Sequence, residues 1–265
     1  MLAFVTGASS GIGKEMAKVL ARRGCDLILT ARNEEKLFKA RNEIINENKN
    51  INVKIITSDL EKESEVFELF EKVKDEKIDI FINNAGFGTV GAFWETDIKT
   101  EINMLKVNDL AMHILFKLML KKMLETDEKG KYILNVSSLS GFMPGPKMSA
   151  YYATKSYMLN LTRGVYKELQ MSNLSSKVNI GVLCPGPIYT NFCDRAGVIF
   201  KTPMLTSEYV AKYAINKMLE KKLVIIPGIL NKCGHILAKV LPTKLIMIVI
   251  YKIQKRKKQS AFWYL

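Results

Sequence analysis

The chain has 265 residues, of which 48% are hydrophobic and 25% are charged, a composition typical of a globular protein and not of a disordered or fibrous one. Its net charge of +14 is uneven, because residues 217–265 carry eleven lysines and arginines against one acid, Glu220. A basic tail on a weakly charged body argues against a nucleic-acid-binding domain, which needs a basic face on the fold itself.

Short apolar runs alternate with helical patterns along most of the chain. The runs predict strands over 2–6, 26–30, 53–58, 78–83, 131–137, 178–183 and 223–227. The patterns between them predict helices near 12–23, 33–49, 62–75, 97–126, 149–173 and 207–221. Because strand–helix–strand units recur, we expect a single α/β domain with one doubly wound parallel sheet of about seven strands and helices on both faces.

Cysteine and histidine are too scattered for a metal site or a disulfide framework. The four cysteines show no CxxC spacing and the two histidines lie far apart; these residues are Cys25, Cys184, Cys193, Cys233, His113 and His235. We therefore expect reduced thiols in a cytoplasmic protein and no bound metal. The chain starts directly with a strand-like run, so we also expect no signal peptide.

A glycine-rich loop joins the first predicted strand to the first predicted helix. Its glycines follow the spacing G-x-x-x-G-x-G from Gly7 to Gly13. Glycines let the backbone approach a pyrophosphate closely, and a helix N-terminus offers free N–H groups and the positive end of its dipole. We predict that the phosphates of a dinucleotide bind there, on Gly7, Ser9, Ser10, Gly11, Ile12 and Gly13.

The chain resembles the short-chain dehydrogenase/reductase family, whose TGxxxGxG signature matches residues 6–13. The resemblance extends from Thr6 to about Thr190 and includes the NNAG motif at residues 83–86. It implies a Rossmann-type oxidoreductase that binds a nicotinamide dinucleotide and interconverts ketones and secondary alcohols. We expect residues 1–229 to form this catalytic domain and residues 230–265 to be its basic and apolar C-terminal extension.

The residues after the second strand predict which dinucleotide is bound. An acid there would hold the ribose 2′-hydroxyl of NAD, but the chain reads Ala31-Arg32-Asn33 and no acid appears until Glu34. Arg32 places a guanidinium where the 2′-phosphate of NADP would lie, and the family pattern associates such an arginine with NADP. We therefore expect NADP(H), with Ser9 or Ser10 as a further phosphate ligand.

Other expected cofactor contacts rest on the resemblance. Asp59 follows the third strand, where an Asp contacts the adenine amino group in similar proteins; the alternative is that Asp59 caps the next helix. Asn84 belongs to the NNAG motif, which we expect to be partly structural. After the sixth strand, the resemblance places the nicotinamide carboxamide on the Ile188 backbone and the Thr190 hydroxyl.

Tyr151 and Lys155 form a YxxxK pair on one face of a predicted helix. A nearby ammonium favours the phenolate, so Tyr151 can donate a proton during reduction or accept one during oxidation. The pair alone is a weak signal, but the family has a serine 13 residues before the tyrosine, which is Ser138 here. The resemblance assigns Ser138 to the substrate oxygen. Lys155 would also hold the nicotinamide ribose, and Asn108 would bind a water that relays protons.

Candidate substrate-pocket residues lie in 87–93, 139–148 and 189–205 and are mostly apolar: Phe142, Met143, Met148, Phe192, Ile199, Phe200 and Met204. They predict a bulky lipophilic ketone or alcohol. Within the family we favour a hydroxysteroid (steroid or bile acid), with a long-chain 3-oxoacyl substrate of lipid metabolism as the alternative. A rival of another class is a non-catalytic NADP-binding sensor, against which the complete catalytic set argues.

The C-terminal extension mixes apolar and basic residues. Its longest apolar run, 245–251, has seven residues. A spanning helix needs about 20, so we expect no transmembrane segment. We rank packing over the substrate cleft or dimerisation first, and contact of the basic tail with an anionic membrane surface second. We expect a homo-oligomer (dimer or tetramer), a small lipophilic substrate and no nucleic-acid partner.

Overall fold

The computed structural model describes residues 1–126, 128–188 and 204–255. Its strands are β1 (Leu2–Thr6), β2 (Asp26–Ala31), β3 (Val53–Thr57), β4 (Ile80–Asn83), β5 (Lys131–Val136), β6 (Val178–Leu183) and β7 (Val224–Ile225). Within the described residues they form one parallel sheet in the order β3-β2-β1-β4-β5-β6-β7. The chain changes direction across the sheet between β1 and β4, and such a switch point leaves a crevice at the carboxyl ends of the strands.

The helices are α1 (Gly11–Ala21), α2 (Glu34–Glu47), α3 (Glu63–Glu71), α4 (Ile98–Leu105), α5 (Met112–Leu124), α6 (Ser149–Met171), α7 (Ser207–Leu219), α8 (Ile229–Val240) and α9 (Thr243–Lys255). One core cluster joins the sheet to Leu20 of α1 and Ile215 of α7. A second cluster joins it to Leu69 of α3 and Leu169 of α6. Helices therefore cover both faces, which confirms the predicted doubly wound Rossmann-type fold.

The central strands are apolar on both faces because each face lies under a layer of helices. β4 is buried along its whole length, as is all of β1 beyond its first residue. Phe4 of β1 and Phe81 of β4 are fully buried, with ring centroids 5.2 Å apart. The predicted strands agree with the observed ones to within a few residues at their ends.

The predicted helix over 97–126 is interrupted in the middle. α4 ends at Leu105, a π-helical segment covers Lys106–Ala111, and α5 begins at Met112. A π segment accommodates extra residues per turn and occurs frequently at functional sites. Hydrophobic periodicity does not reveal it, because so short an interruption shifts the apolar pattern only slightly.

α8 and α9 occupy residues for which the sequence predicted no element. α8 packs on the body through His235, whose ring centroid lies 3.9 Å from that of Phe142. α9 contacts it through Gln254, whose Nε2 donates a hydrogen bond to the Tyr152 hydroxyl at 2.9 Å. α8 starts where the predicted C-terminal extension starts, and the division of the chain at residue 229 stays a prediction.

No helix within 1–126, 128–188 or 204–255 is both long enough and apolar enough to cross a bilayer.

We expect Phe81→Ala to lower the free energy of unfolding by about 3–5 kcal/mol, because it removes buried ring contacts and leaves a cavity in the central strand. Urea denaturation followed by circular dichroism measures the loss. Phe38→Ala is the control, since Phe38 is 51% exposed, and it should cost less than about 1 kcal/mol. Equal losses in the two variants would contradict the central place of Phe81 in the core.

Candidate active site

A cleft of about 830 Å³ opens at the carboxyl ends of the central strands. Most predicted site residues line it: Gly7, Ser9, Ser10, Gly11, Ile12, Arg32, Asp59, Asn84, Ser138, Tyr151, Lys155 and Ile188. Gly13 packs against Gly7, and Asn108 bonds to the backbone of Phe87, so both lie directly behind lining residues. Thr190 lies outside the described residues. The structure thus gathers the predicted cofactor loop and the predicted catalytic residues around one cavity.

Close backbone contacts shape the glycine loop. Gly7 has φ of +65°, and a Cβ on Gly13 would lie 2.4 Å from the Gly7 carbonyl oxygen. Asn84 Nδ2 donates hydrogen bonds to the carbonyl oxygens of Thr6 at 3.0 Å and Gly7 at 3.3 Å. The NNAG motif is therefore partly structural, as we expected, because Asn84 fixes the loop on which the phosphates are predicted to bind.

The N-terminus of α1 is open toward the cleft. Its N-cap residue, Ser10, makes no side-chain capping bond, and its first turn contains no acid. The first N–H groups of a helix have no partner inside it, and together with the helix dipole they attract anions. Ser10, Gly11 and Ile12 line the cleft at this point. These residues fit the pyrophosphate of a dinucleotide.

Arg32 lies at the same end of the cleft, but it has a partner that the sequence did not reveal. Its side chain is 51% exposed, and Nη1 donates to Glu61 Oε1 at 2.6 Å. The two residues come together because β2 and β3 are paired neighbours, with Ala31 beside Thr57. Any phosphate that binds Arg32 must therefore compete with a carboxylate.

Asp59 lines the cleft without capping a helix. Its Oδ1 accepts a hydrogen bond from the Glu61 N–H at 3.2 Å, and its own N–H donates to Glu65 Oε2 at 2.7 Å. α3 begins at Glu63 with Lys62 as its N-cap residue. The alternative role of Asp59 as a helix cap is wrong, because a turn separates it from the helix. Its contact with adenine stays a prediction.

Ser138, Tyr151 and Lys155 face the same part of the cleft. Ser138 follows β5; its hydroxyl donates to the Pro185 carbonyl oxygen at 3.3 Å and lies near enough to Tyr151 to lower the pKa of that phenol. Lys155 lies one turn after Tyr151 on α6; its Nζ is 5.8 Å from the Tyr151 ring centroid and donates to the Val136 carbonyl oxygen at 3.2 Å. A hydroxyl, a phenol and an ammonium thus converge, and this set can bind an oxygen and transfer a proton to it.

Burial dominates the titration of this group. It raises the pKa of Tyr151 to about 12, and the Ser138 hydroxyl opposes it. Burial also lowers the pKa of Lys155 to about 8, against the charge of Asp109. The ammonium that we expected to favour the phenolate is therefore outweighed by desolvation. In this state Tyr151 carries its proton at neutral pH and can act as a proton donor.

Asn108 lies in the π segment and is almost fully buried. Its Oδ1 accepts from the Phe87 N–H at 3.0 Å, and its Nδ2 donates to the Phe87 carbonyl oxygen at 2.8 Å and to Thr154 Oγ1 at 3.1 Å. Asn108 therefore joins the loop after β4 to α6. The water relay predicted for it stays a prediction.

Asp109 is a partly buried carboxylate that sequence reasoning missed. Its Oδ1 is buried without a hydrogen-bond partner. Burial raises the pKa of Asp109 to about 6, and the positive charge of Lys155 opposes the shift. An aspartate in a helical pattern is ordinarily interpreted as a solvated residue, and no signal in the sequence indicated that Asp109 lies in a π segment.

Further residues that line the cleft are Phe87, Leu139, Met148, Tyr152 and Gln254, and we call the part near Tyr151 and Tyr152 the substrate end because the substrate is expected there. Of the predicted pocket residues, Met148 is among them, whereas Phe142 packs against His235. Met143 and Met204 are half-buried and are not among the residues that line the cleft. Phe192, Ile199 and Phe200 lie outside the described residues.

Gln254 is a cleft residue that sequence reasoning missed. It comes from α9, is 4% exposed, and has a buried Oε1 without a hydrogen-bond partner. The one signal for it is helical spacing, since Gln254 continues the inward stripe of Ile246 and Ile250. That signal is weak when the helix itself is not predicted.

Comparison with known families identifies the class of protein. Residues 1–197 match the family model described as short chain dehydrogenase. The chain belongs to the short-chain dehydrogenase/reductase family. It is accordingly an oxidoreductase of the dehydrogenase/reductase kind, acting on CH–OH groups.

Three curated relatives illustrate the range of the family. An uncharacterized oxidoreductase of Staphylococcus saprophyticus is 34% identical over 191 residues, which are 71% of this chain and 79% of that protein. Hydroxysteroid dehydrogenase-like protein 1 of Gallus gallus is 31% identical over 221 residues, or 82% and 65% of the two chains. Very-long-chain 3-oxoacyl-CoA reductase of Anas platyrhynchos is 32% identical over 177 residues, or 65% and 56%.

Solved structures share the fold. A short-chain dehydrogenase from Sphingobium yanoikuyae in complex with NADPH has a TM-score of 0.79 at 26% identity, covering 91% of this chain and 96% of that one. A short-chain dehydrogenase/reductase from Burkholderia phymatum in complex with NAD has a TM-score of 0.80 at 21% identity, covering 100% and 98%. The second likeness concerns the fold alone.

We expect Asp109→Asn to stabilise the protein at neutral and alkaline pH. A buried acid with a raised pKa favours folding at low pH, and that contribution is lost as the pH rises from 3.8 through about 6. Because Asp109 is only partly buried, the gain above that range should be about 1 kcal/mol. Urea denaturation on both sides of this window measures it. Asp75→Asn is the exposed control, and an equal gain at all pH values would contradict the assignment.

Proposed function

We propose that the protein is an NADP(H)-dependent oxidoreductase that interconverts a lipophilic ketone and its secondary alcohol, with a hydroxysteroid (steroid or bile acid) as substrate. One observation carries the proposal: Ser138, Tyr151 and Lys155 meet in the same cleft as the glycine loop. A cofactor held by that loop and a substrate beside Tyr151 would share one cavity. A non-catalytic sensor would have no use for this convergence.

In the proposed reaction, bound nicotinamide supplies or accepts the hydride. The Tyr151 hydroxyl transfers a proton to or from the substrate oxygen, and the Ser138 hydroxyl donates a hydrogen bond to the same oxygen. Lys155 holds the ribose hydroxyls and stabilises negative charge on Tyr151. Asn108 positions this group by fixing Phe87 and Thr154 around it.

With a pKa of about 12, the Tyr151 phenol retains at neutral pH the proton that it must donate in ketone reduction. Oxidation needs the phenolate, and the charge on Lys155 helps to form it. Because the pKa of Lys155 is about 8, that charge is largely present at neutral pH and decreases above it.

Arg32 is the basis for proposing NADP(H). Lys36 lines the cleft beside it, and Ser9 lies on the opposing loop. Glu61 is paired with Arg32 in this structure. We propose that the 2′-phosphate displaces the Glu61 carboxylate from Arg32, since a phosphate offers more negative charge than a carboxylate. One structural neighbour was solved with NADPH and another with NAD. Family membership does not distinguish NADP(H) from NAD(H), so the proposal of NADP(H) rests on these side chains.

The remaining cofactor contacts belong to the same proposal. Asp59 would bind the adenine amino group, and the Ile188 backbone with the Thr190 hydroxyl would bind the carboxamide. Asp59, Asn84 and Ile188 line the cleft in positions compatible with these roles.

The apolar wall formed by Phe87, Leu139 and Met148 supports a lipophilic substrate. A relative named hydroxysteroid dehydrogenase-like protein 1 agrees with a steroid. A relative named very-long-chain 3-oxoacyl-CoA reductase favours the second candidate, a long-chain 3-oxoacyl substrate.

We further propose a cytoplasmic enzyme that forms a dimer or tetramer. Cys25, Cys184 and Cys233 are free thiols, as a reducing compartment would keep them. α4 exposes the apolar residues Ile98 and Leu105, which offer a surface for association between subunits.

Tyr151→Phe tests the proposed chemistry. We expect turnover to fall by about 100- to 10,000-fold, because the substrate oxygen loses its proton donor, while NADPH affinity is retained. The assay follows NADPH and NADH oxidation with steroid ketones, oxidised bile acids, 3-oxoacyl thioesters and small ketones. Tyr157→Phe is the control, since Tyr157 lies on the same helix but is exposed. Undiminished turnover in Tyr151→Phe would exclude its role.

The same panel separates the candidate functions. Turnover confined to 3-oxoacyl thioesters would establish the second candidate in place of the steroid. Cofactor binding without turnover of any carbonyl compound would favour the sensor.

Arg32→Asp tests the choice of cofactor. We expect the KM for NADPH to rise by about 10- to 100-fold, because a charge-assisted contact with the phosphate is replaced by repulsion, while the KM for NADH changes little. Arg22→Asp makes the same charge change at an exposed residue that directly follows α1 and does not line the cleft, and it should affect neither value. An unchanged preference for NADPH in Arg32→Asp would exclude the role of Arg32.

A further inference from the structure

The two C-terminal helices expose apolar stripes. On α8 the stripe consists of Ile229, Ile236, Leu237 and Val240, and on α9 of Leu245, Ile248 and Val249; each of these residues is half-exposed or more. The spacings of three, four and seven residues place each set along one side of its helix. We call these two stripes together the α8–α9 surface.

The opposite sides of both helices are packed on the body. His235 of α8 and Ile246 and Gln254 of α9 are each less than one-tenth exposed. His235 contacts the Phe142 ring, and Gln254 bonds to Tyr152. The helices are thus held in place by their inner sides, and the α8–α9 surface is left outward.

Charge distinguishes this surface from an ordinary apolar patch. From residue 229 to residue 255 there is no acid, whereas five lysines are present. Four of them, Lys232, Lys239, Lys244 and Lys252, are exposed. Lys244 directly precedes Leu245, and Lys252 lies one turn after Ile248 on the same side of α9. Apolar stripes on helices whose charged residues are all cations are typical of helices that lie in the interface of an anionic membrane.

We propose that the α8–α9 surface docks onto an anionic lipid bilayer, with its apolar stripes between headgroups and acyl chains and its lysines beside the lipid phosphates. A second copy of this chain is a poorer occupant. A two-fold contact would bring the lysines of two copies into one interface with no acid in the surface to pair with them. The docking does not depend on which substrate the cleft accepts.

The inner side of α9 gives this docking a consequence for the cleft. Gln254 lines the cleft, while Leu245, Ile248 and Val249 lie on the outer side of the same helix. A docked protein would therefore have one helix between the lipid and the substrate end of the cleft.

Vesicle co-sedimentation of the full chain tests the proposal. The parent should bind vesicles that contain phosphatidylglycerol and should bind vesicles of phosphatidylcholine alone weakly. Binding should decrease as salt is raised, because the lysine contribution is screened. Lys239→Glu/Lys244→Glu/Lys252→Glu should weaken binding on the order of 100-fold. Leu245→Ser/Ile248→Ser/Val249→Ser keeps the charge and should also weaken binding.

Matched controls distinguish docking from a general effect of net charge. Lys49→Glu/Lys99→Glu/Lys121→Glu makes the same charge change at exposed positions outside the surface, and it should retain binding. Circular dichroism of each variant verifies the fold. Failure of the parent to bind anionic vesicles, or equal losses in both lysine variants, would overturn the proposal. So would a fall in the oligomeric mass of the serine variant in solution, since that would assign the surface to a second copy.

Discussion

Hydrogen bonds of Asn84 join the end of β4 to the start of the glycine loop. The Asn84 amide donates to the carbonyl oxygens of Thr6 and Gly7, and the Thr6 hydroxyl accepts the Asn84 N–H at 2.8 Å. These hydrogen bonds hold the ends of β1 and β4 together at the switch point of the sheet. Two residues later, a Cβ on Gly86 would lie 2.9 Å from Asn108 Oδ1 and 3.3 Å from Lys155 Nζ. The glycine loop, the π segment and α6 are therefore positioned against one short stretch of chain.

The parts of the fold that sequence reasoning predicted are those encoded by local patterns. β4 begins with three consecutive apolar residues, Ile80 to Ile82, because both of its faces are covered, and the glycine loop is marked by glycines whose contacts leave no room for side chains. Tyr151 and Lys155 share a side of α6 because they are one helical turn apart. Such features depend on neighbours in the chain, so their spacing can be read without a structure.

The parts that were missed depend on pairing across the sheet or on burial. Glu61 meets Arg32 because β2 and β3 are adjacent, which no local pattern records. Asp109 is turned inward by the π segment, and Gln254 reaches the cleft from a helix that was not predicted. The pKa of Tyr151 was also misjudged, because desolvation in the folded protein outweighs the attraction of a nearby charge.

The position of Gln254 near the end of the chain has a consequence for the order in which the parts of the cleft are translated. Gln254 meets Tyr152 across 102 residues of sequence, whereas the glycine loop and β4 are translated much earlier. A nascent chain can therefore complete the part of the cleft that fits a dinucleotide before it has the helix that bounds the substrate end. Variation in α9 can therefore change the residues beside Tyr152 while the glycine loop and β4 stay the same.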